Sequence, residues 1–273
     1  MFNKLIKIVF ISIVSLSLGG CSQQTKHFLY EGHVIQRIFK GEHFSSTKTP
    51  SEKLAKSVLT INVVKSLGGT SRIKYNGHGA FIINNNIPTI NADVSSAPYA
   101  TNQVDQQGRA AIGNALLNQT TRQYQNRQQT NNGATKWKPQ GFMQKNKLHT
   151  YYKHAYDRGH LLGYALVGGI QGFNSSESNP QNIATQTAWA NEAGDADSTG
   201  QNYYEGLVRK ALDQGKTVRY QVVNIYDGND KVPMGAHIQA KSTDGSLQFN
   251  VFVPNVQSGI QIDYNTGYVV AVK

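Results

Sequence analysis

The sequence predicts an α+β domain built on a central antiparallel sheet with flanking helices, and three observations carry that expectation. Runs rich in β-branched and aromatic residues recur at 80–83, 217–226, 247–253 and 268–272. Between them lie two stretches, 105–119 and 202–212, whose apolar residues return at roughly helical spacing. No internal repeat and no second linker-like boundary interrupts them, so the runs belong to one domain, residues 58–273.

Composition supports a packed domain. The chain has 273 residues, 38% of them hydrophobic, with 14 Tyr and 10 Phe, which is the composition of a globular rather than a disordered protein. It carries 27 Lys+Arg against 16 Asp+Glu, a formal +11. Such an excess points to a polyanionic partner, whether nucleic acid, anionic lipid or an acidic wall polymer; a basic but inert surface is the plain alternative.

The N-terminus sets the compartment. Lys4 and Lys7 precede an apolar run from Ile8 to Leu18, and Leu18-Gly19-Gly20-Cys21 closes it with small residues before a cysteine. The run is short for a membrane span and fits a secretory leader, residues 1–20. Small residues before Cys resemble the bacterial lipoprotein processing site, so Cys21 is the expected lipidation point and membrane anchor, with an ordinary secreted protein as the alternative. Cys21 is the only cysteine, which excludes a disulfide within the chain. Residues 21–57, polar and mixed, read as a spacer with at most a marginal element near Val34-Ile35.

Taken in order, 59–64 and 80–83 read as strands around an Asn76-Gly77-His78-Gly79 turn, and Asn84-Asn85-Asn86 as a loop. The 105–119 segment reads as a helix that Asp105 could cap. A long basic loop follows, 120–147, with Arg122, Arg127, Lys136, Lys138, Lys145 and Lys147 interleaved with Tyr124, Trp137 and Phe142. Loops of that length in a domain are usually functional. Residues 182–187 suit a short strand, and 202–212 a helix with Gly215 beyond its end. Asp244-Gly245 is a hairpin turn between the late strands.

Two runs carry chemistry. Asp157-Arg158-Gly159-His160 places an imidazole beside a cation and a flexible glycine, and an unperturbed histidine is a competent proton acceptor near neutral pH. There is no His-Glu-x-x-His, no cysteine pair and no acidic calcium loop, which argues against zinc hydrolases and EF-hands. What remains is a hard oxygen site with few protein ligands, where Mg²⁺ keeps most of its waters. Asn179, Asn182 and Asn191 are the nearby amide candidates. Glu205 and Arg209, four apart, share one helix face; they form either a surface ion pair or a pair serving water and phosphate. Trp189, Tyr203 and Tyr204 suit a core or a cleft wall better than base stacking.

The run Tyr156-Asp157-Arg158-Gly159-His160-Leu161-Leu162-Gly163-Tyr164-Ala165-Leu166 resembles the signature of the DNA/RNA non-specific endonucleases. So does Asn179-Pro180-Gln181-Asn182-Ile183-Ala184-Thr185-Gln186-Thr187-Ala188-Trp189-Ala190-Asn191. Within that family the chain is similar to the branch of membrane nucleases that serve DNA uptake. Thr199-Gly200-Gln201-Asn202-Tyr203-Tyr204-Glu205 and Asn250-Val251-Phe252-Val253-Pro254-Asn255-Val256-Gln257 extend the resemblance over roughly 105–273. It implies a ββα-metal (His-metal) finger, with His160 activating water and Asn191 as the one direct protein ligand of Mg²⁺, or of Mn²⁺. It further implies that Asn182 orients the site, that Glu205 and Arg209 act through bound water and phosphate, and that Arg158 neutralises or shapes the site. Arg127 and Gln186 fall where related enzymes contact nucleic acid. Glu205 follows Asn191 at a long interval, across the polar insert 192–198, and the resemblance does not place the stretch 59–90, for which a hairpin packed beside the family core is the expectation.

The reading is therefore a lipid-anchored, extracytoplasmic, Mg²⁺-dependent endonuclease acting on DNA, and on RNA as well, with a DNA-uptake apparatus as a conceivable partner. Backbone contacts by Lys and Arg give such an enzyme strong salt dependence and little sequence preference. The rival from another class is a catalytically inactive DNA-binding lipoprotein that captures strands through the 120–147 loop. A cell-wall hydrolase is a third reading, without a paired-carboxylate or zinc signature behind it.

Overall fold

The late strands of the sequence hold the molecule together. In the computed structural model, which describes residues 47–133 and 135–272, the elements run as follows. Helices α1 (Glu52–Lys56) and α2 (Ile61–Ser66) precede strands β1 (Ile73–Tyr75), β2 (Phe81–Ile83), β3 (Tyr99–Val104) and β4 (Ala110–Leu117). Then come β5 (Tyr156–His160), α3 (Tyr164–Val167), β6 (Ile183–Thr187), α4 (Ala188–Glu192), β7 (Gly194–Asp195) and β8 (Ser198–Thr199). The chain ends with α5 (Gln201–Asp213), β9 (Val218–Ile225), β10 (Gly235–Ser242), β11 (Gln248–Pro254), β12 (Ile260–Ile262) and β13 (Val269–Ala271).

Seven strands form the main sheet in the order β1-β2-β11-β10-β9-β4-β3, every neighbouring pair antiparallel. Val218, Tyr220 and Val222 alternate into the core along β9, as the two-residue period of a half-buried strand requires. Helix α5 turns Tyr204, Val208, Ala211 and Leu212 inward, a stripe at helical spacing, and it touches β9.

A second, two-stranded sheet pairs β5 with β6, Tyr156 opposite Thr187 and His160 opposite Ile183. Helix α4 follows β6 with no loop, and the Thr187 hydroxyl caps it by accepting from Ala190 N at 3.1 Å. This β5–β6–α4 unit is the ββα finger. It is tied to the main sheet by the residues after β11. Asn255 Oδ1 accepts from Thr187 N at 2.7 Å, and its Nδ2 donates to the carbonyls of Thr185 (3.0 Å) and Pro233 (2.9 Å). Gln257 accepts from Trp189 N at 3.1 Å and donates to His154 O at 3.0 Å.

The α+β architecture, strand β2, the helix over 202–212 and the late strands stand as the sequence predicts. Three local expectations do not. The run 59–64 is not a strand but leads into helix α2 from Ile61: Thr60 caps it by accepting from Val63 N at 3.3 Å, and the apolar run is one-sided, with Val63 buried and Ile61 83% exposed. Residues 105–119 are not a helix but a hairpin end and strand β4. Asp105 closes the turn by accepting from the N–H groups of Gln107 and Arg109, both at 2.9 Å, and β4 finds strand partners on both sides. Strand β10, central in the sheet, had no counterpart among the expected elements. Helix α1, with Ala55 fully buried, lies inside the interval read as spacer. The leader 1–20, Cys21 and the Val34-Ile35 segment lie outside the described residues.

Candidate active site

Strand β5 presents Asp157 and His160 toward different partners, because neighbouring side chains alternate across a strand. His160 Nε2 lies 2.6 Å from an Arg127 Nη2 that comes from the basic loop. Arg127 stacks on the Tyr164 ring, 4.4 Å from its centroid, donates to the Ser175 carbonyl at 3.0 Å and lies 3.5 Å from Glu177. A guanidinium has no acceptor, so Nε2 must be the accepting atom and the imidazole is neutral with its proton on Nδ1. Burial first, and the Arg127 charge second, lower the His160 pKa to about 3, while a hydrogen bond with the Ser175 backbone opposes them.

Behind the imidazole is a chain of amides. Gln201, at the start of α5, donates to the His160 carbonyl at 2.6 Å and to Glu205 Oε1 at 3.1 Å, and accepts from Gln186 Nε2 at 3.1 Å. Two glycines leave room for this packing. A Cβ on Gly159 would stand 2.2 Å from Gln186 Oε1, and one on Gly163 2.4 Å from Glu205 Oε2. Glu205 also lies 3.6 Å from Arg209 Nη1, and burial raises its pKa against the lowering effects of Gln201, Arg209 and Arg127. The interval 192–200 is absorbed by the small β7–β8 hairpin, which returns the chain to the site at Gln201.

Asn191 stands on α4. Its Nδ2 donates to Asp157 Oδ2 at 3.1 Å, which leaves the carbonyl oxygen Oδ1 as the free donor atom of the amide. Beside it, His154, Asp157 and Glu192 bring one ligand atom each within 4.8 Å of one another, with His154 Nε2 at 2.8 Å from Asp157 and 3.4 Å from Glu192. Burial, and next the negative charge of Asp157, raise the Glu192 pKa. A neutral carbonyl oxygen next to two carboxylates suits a hard divalent cation that retains most of its waters, so these residues fit Mg²⁺ or Mn²⁺.

Of the residues singled out in the sequence, Arg127, His160, Gln186, Glu205 and Arg209 form one connected group. Asn191 joins the same strand through Asp157. Two residues point elsewhere. Arg158 donates to the carbonyls of Trp137 (2.8 Å) and Thr135 (2.9 Å), and so ties β5 to the basic loop. Asn182 is fully buried: it accepts from Leu162 N and Asn102 Nδ2 and donates to Leu162 O, each at 3.0 Å, which braces the chain just beyond His160. Gln186 is 7% exposed, its amide turned inward to Gln201, where a surface contact to nucleic acid had been expected. Trp189 is core, as expected, with its indole N–H on Ser198 at 3.0 Å. Sequence reasoning missed Gln201, Asp157, His154 and Glu192. Only the run around Gln201, and the Asp that opens the Asp157–His160 motif, gave a signal that could have found them.

Residues 77–267 match the family model described as DNA/RNA non-specific endonuclease, which is most of the chain. The chain belongs to the DNA/RNA non-specific endonuclease family. It is similar to NucA from Streptococcus agalactiae in a crystal structure with magnesium bound. There the identity is 45%, over 73% of this chain and 91% of that one, with a TM-score of 0.71. The metal-free structure of NucA aligns at 41% identity over 83% of this chain and 99% of the other, again with a TM-score of 0.71. The Sda1 nuclease with bound zinc, 16% identical with a TM-score of 0.53, shares the fold. Members of this non-specific endonuclease family are phosphodiester hydrolases, so the chain is a nuclease.

Proposed function

We propose that this protein is a Mg²⁺-dependent endonuclease that hydrolyses DNA and RNA without regard to sequence, with His160 as general base and Asn191 Oδ1 as the protein ligand of the metal. The observation that carries the reading is the neutral imidazole whose Nε2 lone pair faces Arg127. A bound phosphate competes for that guanidinium, and as Arg127 turns to it, Nε2 becomes free to accept a proton from water. The water oxygen attacks phosphorus, the bond to the leaving oxygen breaks as that oxygen takes a proton from solvent water, and His160 later returns its own proton to solvent. Arg127 and Arg209 meet negative charge on the phosphate, Glu205 holds water by hydrogen bonding, and Gln201 fixes the backbone of His160 and the Glu205 carboxylate together. Asp157 keeps the Asn191 oxygen turned outward, Glu192 adds negative charge beside it, and His154 pairs with Asp157 at 2.8 Å. Mg²⁺, when bound, supplies Lewis-acid stabilisation of charge on the phosphate and leaving oxygen; Mn²⁺ fits the same hard donors.

A site of this kind that faces phosphate does not need to meet the 2′ position, so the reading extends to both DNA and RNA. The leader and Cys21 support work outside the cytoplasm on a lipid anchor, where a DNA-uptake apparatus could receive the product strand. No helix among the described residues is long and apolar enough to cross a membrane; the lipid on Cys21 is the anchor proposed from the sequence. The test is plasmid and RNA degradation by the full chain with Mg²⁺, with EDTA, and with His160→Ala or Asn191→Ala. Activity confined to the unaltered protein with metal is expected. Equal activity under all four conditions contradicts the reading, and salt-dependent DNA binding without hydrolysis under any metal would mark a catalytically inactive DNA-binding lipoprotein.

A further inference from the structure

We propose that the groove between β3 and the loop 168–181 holds unstacked bases of a single-stranded stretch beside the cleaved phosphodiester, an inference that rests on the nuclease reading above. The groove is an open one of about 800 Å³, within the size range of sites that take small organic ligands. Strand β3 ends the main sheet, so one side of its backbone pairs with no strand. Tyr99 and Asn102 form that wall, and Phe173, Asn174, Asn179 and Gln181 face them.

The chemistry of the lining separates bases from phosphates. No Lys, Arg, Asp or Glu lines the groove, although the chain carries 27 Lys+Arg. A track for the sugar-phosphate backbone would be lined with cations. Flat rings and carboxamides are what base faces and base edges require, stacking from the first and paired donors and acceptors from the second. Both rings are half-buried and held from behind. Tyr99 lies under the Arg219 guanidinium, 5.7 Å from the ring centroid, and Phe173 packs against the main core. Asn102 donates its Nδ2 to Asn182, which fixes this wall against the finger.

Position ties this groove to the reaction. Asn174 lines it, and the next residue, Ser175, is the one whose carbonyl holds Arg127 beside His160. One loop therefore has the catalytic arginine at Ser175 and the groove at Asn174. Asn102 likewise bonds to the same Asn182 that braces Leu162 after His160. A duplex keeps its bases stacked and paired and offers neither faces nor edges here. A single strand offers both, so its binding includes a contribution from the bases that duplex binding lacks.

The experiment measures KM and kcat of the full chain on oligonucleotides with one cleavable bond. The substrates are a single strand, its duplex, and a single strand made abasic on both sides of that bond. Each is cut by the unaltered protein and by Phe173→Ala. Loss of a base–aromatic stack should raise the single-strand KM roughly tenfold in Phe173→Ala, with duplex KM and kcat unchanged. The abasic strand should raise the KM of the unaltered protein by a similar factor and add nothing in the variant. Because that arm leaves the protein intact, poor folding of the variant cannot imitate it. Equal KM for intact and abasic strands, or a Phe173→Ala effect shared by duplex and single strand, overturns the base groove while leaving the nuclease reading in place. Failure of the unaltered protein to cut any of the three overturns the nuclease reading itself.

Discussion

Arg127 covers the Nε2 lone pair through which we propose that His160 accepts a proton, and this contact has consequences that can be measured. The imidazole stays neutral far below the ordinary histidine value, through burial first and Arg127 second. Removing the guanidinium in Arg127→Ala should therefore move the His160 pKa part of the way back toward ~6.5, read by NMR titration of the ring; no movement would contradict the contact. The linkage has a definite sign. Between the unfolded value near ~6.5 and about 3, the unfolded chain holds a proton that the folded chain lacks, so stability falls as pH drops through that window. Replacing His160 by Gln should flatten that part of the acid-unfolding curve, and an unchanged curve would argue against a buried neutral ring. At Gly163 the backbone is ordinary, φ −64, so Gly163→Ala should fold normally. Its new methyl, however, occupies the place of Glu205 Oε2. The expected result is a fall in kcat of about tenfold or more, in the range of a displaced catalytic contact, with Tm little changed; full activity would detach Glu205 from the reaction.

At the scale of elements, the finger works only as firmly as it is clamped. Asn255→Ala leaves the Thr187 N–H and the carbonyls of Thr185 and Pro233 without their buried partner. Each such loss costs about 1–3 kcal/mol, so a destabilisation of roughly 3 kcal/mol or more is expected from denaturant unfolding; a change below ~1 kcal/mol would show that the clamp is dispensable. The same elements show what a sequence can reveal. Strand β9 and helix α5 were legible because each has one dry face, which imposes a period of two or of 3.6, and β11, buried on both faces from Phe249 to Pro254, was legible as a run rich in β-branched and aromatic residues. Strand β4 was not, since its Ala and Leu residues satisfy a helical spacing as easily as a strand, and only its neighbours β3 and β9 decide between them. Helix α2 was hidden for the complementary reason: its β-branched run suits a strand locally, and the Thr60 cap decides otherwise. In the site, His160 and Asn191 were readable from motif and resemblance. Gln201 and the Asp157–Asn191 bond were not, because residues far apart in the chain meet only when β5, α4 and α5 converge. Arg158 and Gln186 show the converse, marked by their motifs yet turned toward a loop and an interior amide.

For the whole molecule, the excess of basic over acidic side chains predicts how the enzyme meets its substrate. Every phosphate neutralised adds to the salt dependence with a log–log slope of about −0.9 on duplex DNA. KM on duplex should thus rise steeply with added salt while kcat changes little, and a KM flat in salt would place the positive surface outside the reaction. The central claim is a division of labour across one finger, with an imidazole that moves the proton and an amide oxygen that holds the cation. Single-turnover cleavage of one defined phosphodiester across a Mg²⁺ titration tests it most directly, comparing the unaltered chain with His160→Ala and Asn191→Ala. His160→Ala should lower the saturating rate by about 10²–10⁴ at an unchanged Mg²⁺ midpoint, and Asn191→Ala should shift the midpoint to higher Mg²⁺. A saturating rate that survives the loss of His160, or a midpoint indifferent to Asn191, would contradict the account.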